Sequence, residues 1–283
     1  MVIAPGIRLD AALLAAAARF GGDEARREAE ILLGHALGLS RAALFAHGDR
    51  RLDAVQAAEV ERLVAARVAG QPVAYLLGER EFFGLGLRVS PAVLIPRPET
   101  ELLVEQALAR LPADASGAIA DLGTGSGAIA LAIAKARPAL TVWALERSPA
   151  ALAIARENLQ RHRLDNVRLL ESDWYSALPL GTRLRMLVAN PPYVAEDDPH
   201  LASGDLRFEP QVALTPGSDA LAAYRAIIAA AGDYLLPGGW LLFEHGEAQG
   251  QAVRALLSQR GFVQVETVTD LESRDRVSLG RWL

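Results

Sequence analysis

The stretch Ala118-Ile119-Ala120-Asp121-Leu122-Gly123-Thr124-Gly125-Ser126-Gly127 runs directly into Ala128-Ile129-Ala130-Leu131-Ala132-Ile133, and few folds accommodate that order. A short apolar run, a glycine-rich turn and a helix-forming apolar run read as strand, turn and helix, the opening unit of a parallel α/β sheet. The glycines let the backbone pass close beneath a ligand. They also expose N–H groups at a helix N-terminus, which suits a carboxylate, and Asp121 stands where it can meet an ammonium group. Together these point to an amino-acid-like ligand.

The second strand, residues 141–145, ends on Glu146, where an acid can chelate two ribose hydroxyls. The glycine spacing is GxGxG and not the GxGxxG of nicotinamide-binding domains, which favours S-adenosylmethionine over NAD. A helix over 150–160 and a strand over 167–170 lead to Ser172-Asp173-Trp174. Asp173 can accept from an adenine amino group and Trp174 can cover the ring, although a tryptophan after a strand also serves as core packing. A fourth strand, 185–189, opens into Asn190-Pro191-Pro192-Tyr193. The prolines lack N–H groups and stiffen the loop. The Asn190 side-chain oxygen and the Pro191 carbonyl can accept both hydrogens of a planar NH2 group, with Pro192 and Tyr193 as apolar walls. Taken alone, the motif is also an ordinary turn after a strand. The glycine turn, Glu146, Asp173 and Asn190 nevertheless all fall at one sheet edge, where α/β enzymes carry their chemistry.

The remaining chain supplies context. Residues before about 75 read as amphipathic helices over 9–20, 23–37, 41–45 and 52–68, broken at Gly21-Gly22, Gly38 and Gly70. In the second helix Ala25, Ala29, Leu32, Leu33 and Ala36 form an apolar stripe, with Arg26, Arg27 and Glu30 off it. Residues 80–89 have the pattern of a hairpin, and residues 94–101 form an extended segment held by Pro96 and Pro98. After the polar loop 196–200, Pro237-Gly238-Gly239 is expected to turn into a strand over 240–244, and strands over 263–268 and 276–283 close the chain. The expected domains are a helical recognition domain over 1–75, a hairpin linker over 76–100 and a catalytic domain over 101–283. The chain has 283 residues, of which 51% are hydrophobic, and carries a net charge of -5. That charge argues against a broad grip on phosphates. No cysteine is present and the five histidines lack ligand spacing, so no metal is expected; His245 reads as a structural residue. No signal or anchor pattern is visible, and a cytoplasmic location is expected.

On Ile95-Pro96-Arg97-Pro98-Glu99-Thr100-Glu101, Asp121 to Gly127, Ser172-Asp173-Trp174, Asn190 to Tyr193, Phe208-Glu209-Pro210 and the ending Arg274-Asp275-Arg276-Val277 to Gly280-Arg281, the chain resembles the HemK/PrmC family of release-factor glutamine methyltransferases. The resemblance implies a class I methyltransferase fold, α/β and Rossmann-like. Its seven-stranded sheet is mostly parallel with an antiparallel last strand, and a small all-α bundle and a β-hairpin precede it. It implies that S-adenosylmethionine is converted to S-adenosylhomocysteine as the glutamine of a Gly-Gly-Gln motif is methylated in class I peptide chain release factors. The helical domain would help to bind the factor, and the enzyme would act as a monomer without nucleic acid or membrane. On this reading Asp121, Gly123, Thr124, Gly125, Ser126, Gly127, Glu146, Asp173, Trp174 and Asn190 hold the cofactor. Asn190, Pro191, Pro192 and Tyr193 hold the substrate, with Asn190 and Pro191 as the catalytic acceptors. The family commonly has Asp at Glu146 and often Thr at Ser126; both departures keep the functional group and alter its reach. Two other readings share parts of the pattern: an adenine-N6 nucleic-acid methyltransferase with the same Asn-Pro-Pro-Tyr loop, and a non-catalytic cofactor-binding adaptor.

Overall fold

The computed structural model describes residues 2–283, and the chain divides into two compact units, Met1–Gly78 and Glu79–Leu283. The first is helical: α1 (Leu9–Phe20), α2 (Ala25–Leu37), α3 (Arg41–Ala46), α4 (Ala54–Val68) and α5 (Val73–Leu77). Its core is a cluster that includes Leu9, Leu13, Leu33, Val60 and Val64. Asp53 starts α4 with a reciprocal capping box to Gln56, and Gly38 ends α2 in the left-handed conformation. Two points differ from the sequence reading. Glu30 is buried, not off the packed stripe, and its charge is matched by Arg26 at 3.1 Å and Arg41 at 2.7 Å. Helix α5 follows Pro72 and is too short for its apolar spacing to have shown a stripe.

The second unit opens with the hairpin β1 (Glu79–Phe82) and β2 (Leu85–Arg88), turned by Phe83 and Gly84. Expected as a linker, the hairpin instead buries Phe82, Leu85 and Leu87 in the core of this unit. It is followed by α6 (Glu101–Arg110), β3 (Gly117–Leu122), α7 (Ala128–Ala136), β4 (Leu140–Glu146), α8 (Pro149–His162), β5 (Val167–Glu171) and β6 (Leu184–Ala189). Then come α9 (Gln211–Leu214), α10 (Ala222–Tyr234), β7 (Leu235–Glu244), α11 (Gly250–Arg260), β8 (Val263–Thr269) and β9 (Asp275–Arg281). The seven-stranded sheet has the order β5-β4-β3-β6-β7-β9-β8, parallel except for β9, which runs antiparallel to both neighbours. Because successive strand residues face opposite sides, Ile119, Val142, Met186 and Leu242 pack with α6 and α7 on one face. Ala120, Leu122, Leu187 and Phe243 pack with α10 and α11 on the other.

Leu122 pairs with Leu145 and with Ala189, and Ala189 pairs with Phe243. The next residues, Gly123, Glu146, Asn190 and Glu244, therefore come off adjacent strands along one carboxyl edge. The strand order reverses at β3, which places this edge at the switch point where α/β sheets open a crevice. Pro237-Gly238-Gly239, expected as a turn before the strand, lies inside β7, where pairing with β6 shifts register. Gly239 is packed so closely that an added Cβ would stand 2.9 Å from the Leu236 carbonyl and 3.1 Å from that of Arg185.

Candidate active site

A cavity of about 410 Å³ opens at that carboxyl edge. Its floor is the turn after β3, where Gly123, Gly125 and Gly127 all take positive φ, a conformation that a side chain would strain. The N–H groups of this turn do not all face outward, as the sequence reading expected. Those of Gly123 and Thr124 donate to the Leu145 carbonyl, that of Gly127 to Thr124, and that of Gly125 to Glu146 Oε2 at 2.9 Å. The turn is thus held to the end of β4 by hydrogen bonds.

Glu146 lines the cavity. Its second oxygen accepts the Ser148 N–H at 2.8 Å, so both carboxylate oxygens are oriented by backbone donors while each keeps a lone pair for a hydroxyl. Asp173 and Trp174 form the next part of the wall. Trp174 sits at φ 47, a left-handed conformation rare for a bulky residue and common at ligand-holding sites. The Ser172 hydroxyl fixes that turn by donating to the Trp174 carbonyl at 2.8 Å. Trp174 also touches the glycine turn, its ring edge 3.7 Å from where a Cβ on Gly123 would stand.

Of the residues singled out from sequence, Gly123, Thr124, Gly125, Ser126, Glu146, Asp173, Trp174, Asn190 and Pro192 line this one cavity. Asp121, Gly127, Pro191 and Tyr193 are not among the lining residues. Asp121 is wholly buried beneath the glycine turn, where Oδ2 accepts from Thr124 Oγ1 at 2.6 Å and from the Ala130 N–H at 3.2 Å. Its Oδ1 has no partner among the described residues. Burial pushes this carboxyl up to about 7, against the two hydrogen bonds and with a further push from the charge of Glu146. A buried carboxylate with one orphaned oxygen, beneath a turn too tight for side chains and beside an oriented acid, fits an amino-acid nucleoside such as S-adenosylmethionine. Asp121 and Glu146 would answer its ammonium and its ribose.

Asn190 lines the same cavity from the end of β6, the strand beside β3. Its Nδ2 donates to Thr100 Oγ1 at 3.3 Å, and neither its Oδ1 nor the Pro191 carbonyl accepts a hydrogen bond from the described residues. Gln249 Nε2 donates to the Tyr193 carbonyl at 3.0 Å and the Val194 N–H donates to Leu214, which holds the loop from both sides. Burial raises the Tyr193 hydroxyl above its ordinary range, so it stays protonated.

Sequence reasoning missed three parts of the site. Residues 92–96 and 210–216 supply the facing walls. They are clamped together by Glu209, which pairs with Arg97 and accepts the Ile95 N–H at 3.0 Å. Thr100 and the buried Glu244 complete the surroundings of Asn190. The only signal for Glu244 in the sequence is an acid ending an apolar strand, the same signal that marked Glu146. His245, whose pKa burial lowers, lies between the Gly246 carbonyl and Ser278 Oγ, a structural setting. Among the described residues no cluster of His, Asp and Glu could hold a metal ion, and no helix is long and apolar enough to cross a membrane.

Comparison with known proteins bears on the same regions. The family description "PrmC N-terminal domain" matches residues 9–78, and "Methyltransferase small domain" matches residues 98–205. The chain is 55% identical over 260 residues to the release factor glutamine methyltransferase of Burkholderia pseudomallei, covering 90% of this chain and 91% of that one. It is 48% identical over 257 residues to that of Escherichia coli strain K12, covering 91% and 92%. Among solved structures, the Thermus thermophilus 16S rRNA N2 G1207 methyltransferase in complex with AdoMet and guanosine superposes with a TM-score of 0.54 at 21% identity. That match covers 72% of this chain and 50% of that one, and it supports the fold.

Proposed function

The chain belongs to the release factor glutamine methyltransferase family, and from that premise we propose that it methylates the side-chain nitrogen of the Gly-Gly-Gln glutamine in class I peptide chain release factors. The observation that carries this reading is the placing of Asn190. Its carbonyl oxygen accepts nothing from the described residues, and it shares one cavity with the glycine turn and Glu146. An acceptor for an NH2 group and a cradle for a nucleoside cofactor thus open onto the same space.

Bound S-adenosylmethionine supplies an electrophilic methyl group and leaves as S-adenosylhomocysteine. The task of the chain is then to present a poor nucleophile. The lone pair of an amide nitrogen is delocalised into its carbonyl. Asn190 Oδ1 and the Pro191 carbonyl, accepting its two hydrogens, orient the nitrogen and favour positive charge developing there. Nitrogen gains the methyl group and loses one proton to water. Pro192 lines the cavity, which limits water around the amide. Glu146 orients the ribose end of the cofactor, Asp121 its ammonium, and Trp174 the adenine. On this reading the protein works as a cytoplasmic monomer, with a protein substrate and not a nucleic acid, and the helical unit Met1–Gly78 helps to bind the factor.

The test uses labelled S-adenosylmethionine with a release factor and duplex DNA offered in parallel. Label is expected in the release factor, at the Gly-Gly-Gln glutamine. Label in the DNA would overturn the reading in favour of an adenine methyltransferase, and label in neither would favour an adaptor.

A further inference from the structure

The carboxyl group of Glu244 comes off the end of β7 beside Asn190, one residue past the pairing of Ala189 with Phe243. It is 2% exposed. A buried carboxylate is costly unless the structure uses it. Tyr193 O–H donates toward Oε1 over 3.5 Å, a long bond, and Oε2 has no partner among the described residues. Thr100 and Asn190 both face the carboxylate as donors, near enough to favour its charged form without closing a hydrogen bond onto Oε2.

The direction of donation matters here. Asn190 Nδ2 donates to Thr100 Oγ1 at 3.3 Å. A threonine hydroxyl has one proton, and Thr100, accepting from Asn190, is left to direct its own toward Glu244. With that proton turned to Glu244, NH2, hydroxyl and carboxylate would form a row with a single polarity, anchored by the ionised carboxylate, an acceptor-only group. That polarity turns the other end of the amide, Oδ1, away from Thr100. A protonated Glu244 is a donor and reverses the row: Thr100 would donate to Asn190, the amide would turn over, and its NH2 would meet the substrate.

We propose that Glu244, acting through Thr100, is a positioning residue that fixes the amide orientation of Asn190 so that Oδ1 receives the N–H of the substrate. The proposal rests on the glutamine-methylation reading and adds to it a residue and a pH dependence. Several groups face Glu244: Arg276 from β9, Glu99 and Thr100 from the turn before α6, Asn190 and Tyr193 from the loop after β6, and Tyr224 from α10. Burial pushes its carboxyl up to about 7. Thr100, Arg276 and Asn190 oppose the rise, and Glu99 adds to it. The row therefore reverses within the working range of an assay, and the rate should fall on the acid side.

The experiment is single-turnover methylation of intact release factor from about pH 5.5 to about pH 8.5. Cofactor is saturating, so that pH effects on its affinity drop out. Wild type is expected to lose kcat below about pH 7 with KM for the factor unchanged. Glu244→Gln should lower kcat by about tenfold to a hundredfold at the alkaline end and abolish the acid limb, with the cofactor Kd within about twofold of wild type. Thr100→Val should lose as much, the double variant no more than either single, and Thr100→Ser should restore the rate. An acid limb that persists unchanged in Glu244→Gln, or a wild-type kcat in Thr100→Val, overturns the proposal. If Glu244→Gln does not fold, the Val and Ser pair at Thr100 decides alone. A wild-type protein that leaves release factor unlabelled at every pH overturns the substrate reading, and this inference with it.

Discussion

At the scale of single residues, the chemistry of the cavity depends on polar atoms the fold has left unsatisfied. Asn190 Oδ1 and Asp121 Oδ1 are two such atoms, and each leads to a prediction. Asn190→Ala should leave the fold and most cofactor affinity intact and lower kcat by roughly 10²- to 10³-fold, the size of deleting one preorganised polar group. Asn190→Asp keeps acceptor oxygens and loses the NH2 that Thr100 receives, so its activity should fall between wild type and alanine in single-turnover assays. Asp121 and Glu244 are both pushed up to about 7 by burial, well above ordinary carboxylates. Their folded forms hold protons that the unfolded chain has already released, so stability declines as pH rises from about 4 to about 7. Each tenfold loss of acidity costs about 1.4 kcal/mol. The chain without cofactor should therefore melt at a higher temperature at pH 5 than at pH 8, and Asp121→Asn should flatten that slope. Saturating S-adenosylmethionine should raise the melting temperature more at pH 8, where Asp121 is ionised and can meet an ammonium group.

At the scale of elements, the cavity depends on segments that are not regular structure. The walls 92–96 and 210–216 are held by the buried carboxylate of Glu209, shared between the Arg97 guanidinium and the Ile95 N–H. Glu209→Ala would leave a cation and a buried donor without their acceptor. Arg97 is about one-third exposed, so water answers part of the loss. We expect about 1–3 kcal/mol in urea unfolding, together with weaker cofactor binding. Glu209→Gln, which still accepts from Ile95, should lose less. In the same cavity, Glu146→Ala removes both a ribose acceptor and the tie from β4 to the glycine turn. Calorimetric titration should show S-adenosylmethionine binding weakened by roughly 1–3 kcal/mol. An unchanged dissociation constant would remove Glu146 from the cofactor site.

At the scale of the whole molecule, two units with separate cores share one chain. Removing Met1–Gly78 leaves the core of the second unit with its own buried residues. Such a truncation should keep cofactor affinity and raise KM for intact release factor far more than for a short Gly-Gly-Gln peptide. Equal losses on both substrates would deny the helical unit a recognition role. The sequence by itself determined what depends on local periodicity and backbone chemistry. The Gly123–Gly127 turn and the strand ends carrying Glu146, Asp173 and Asn190 were legible because a strand's end or a glycine's freedom is written within a few neighbouring positions. Helix α5 and the bulge within β7 were not, since one is too short to show a period and the other contains glycines that normally mark a turn. What only the tertiary structure decided is which polar groups answer one another across long stretches of chain. Glu209 closes on Ile95, Gly125 donates to Glu146, and Glu244 stands beside Asn190. These partners meet through strand register and loop packing. A carboxylate's environment is set by what is brought around it in space, which the local pattern does not contain.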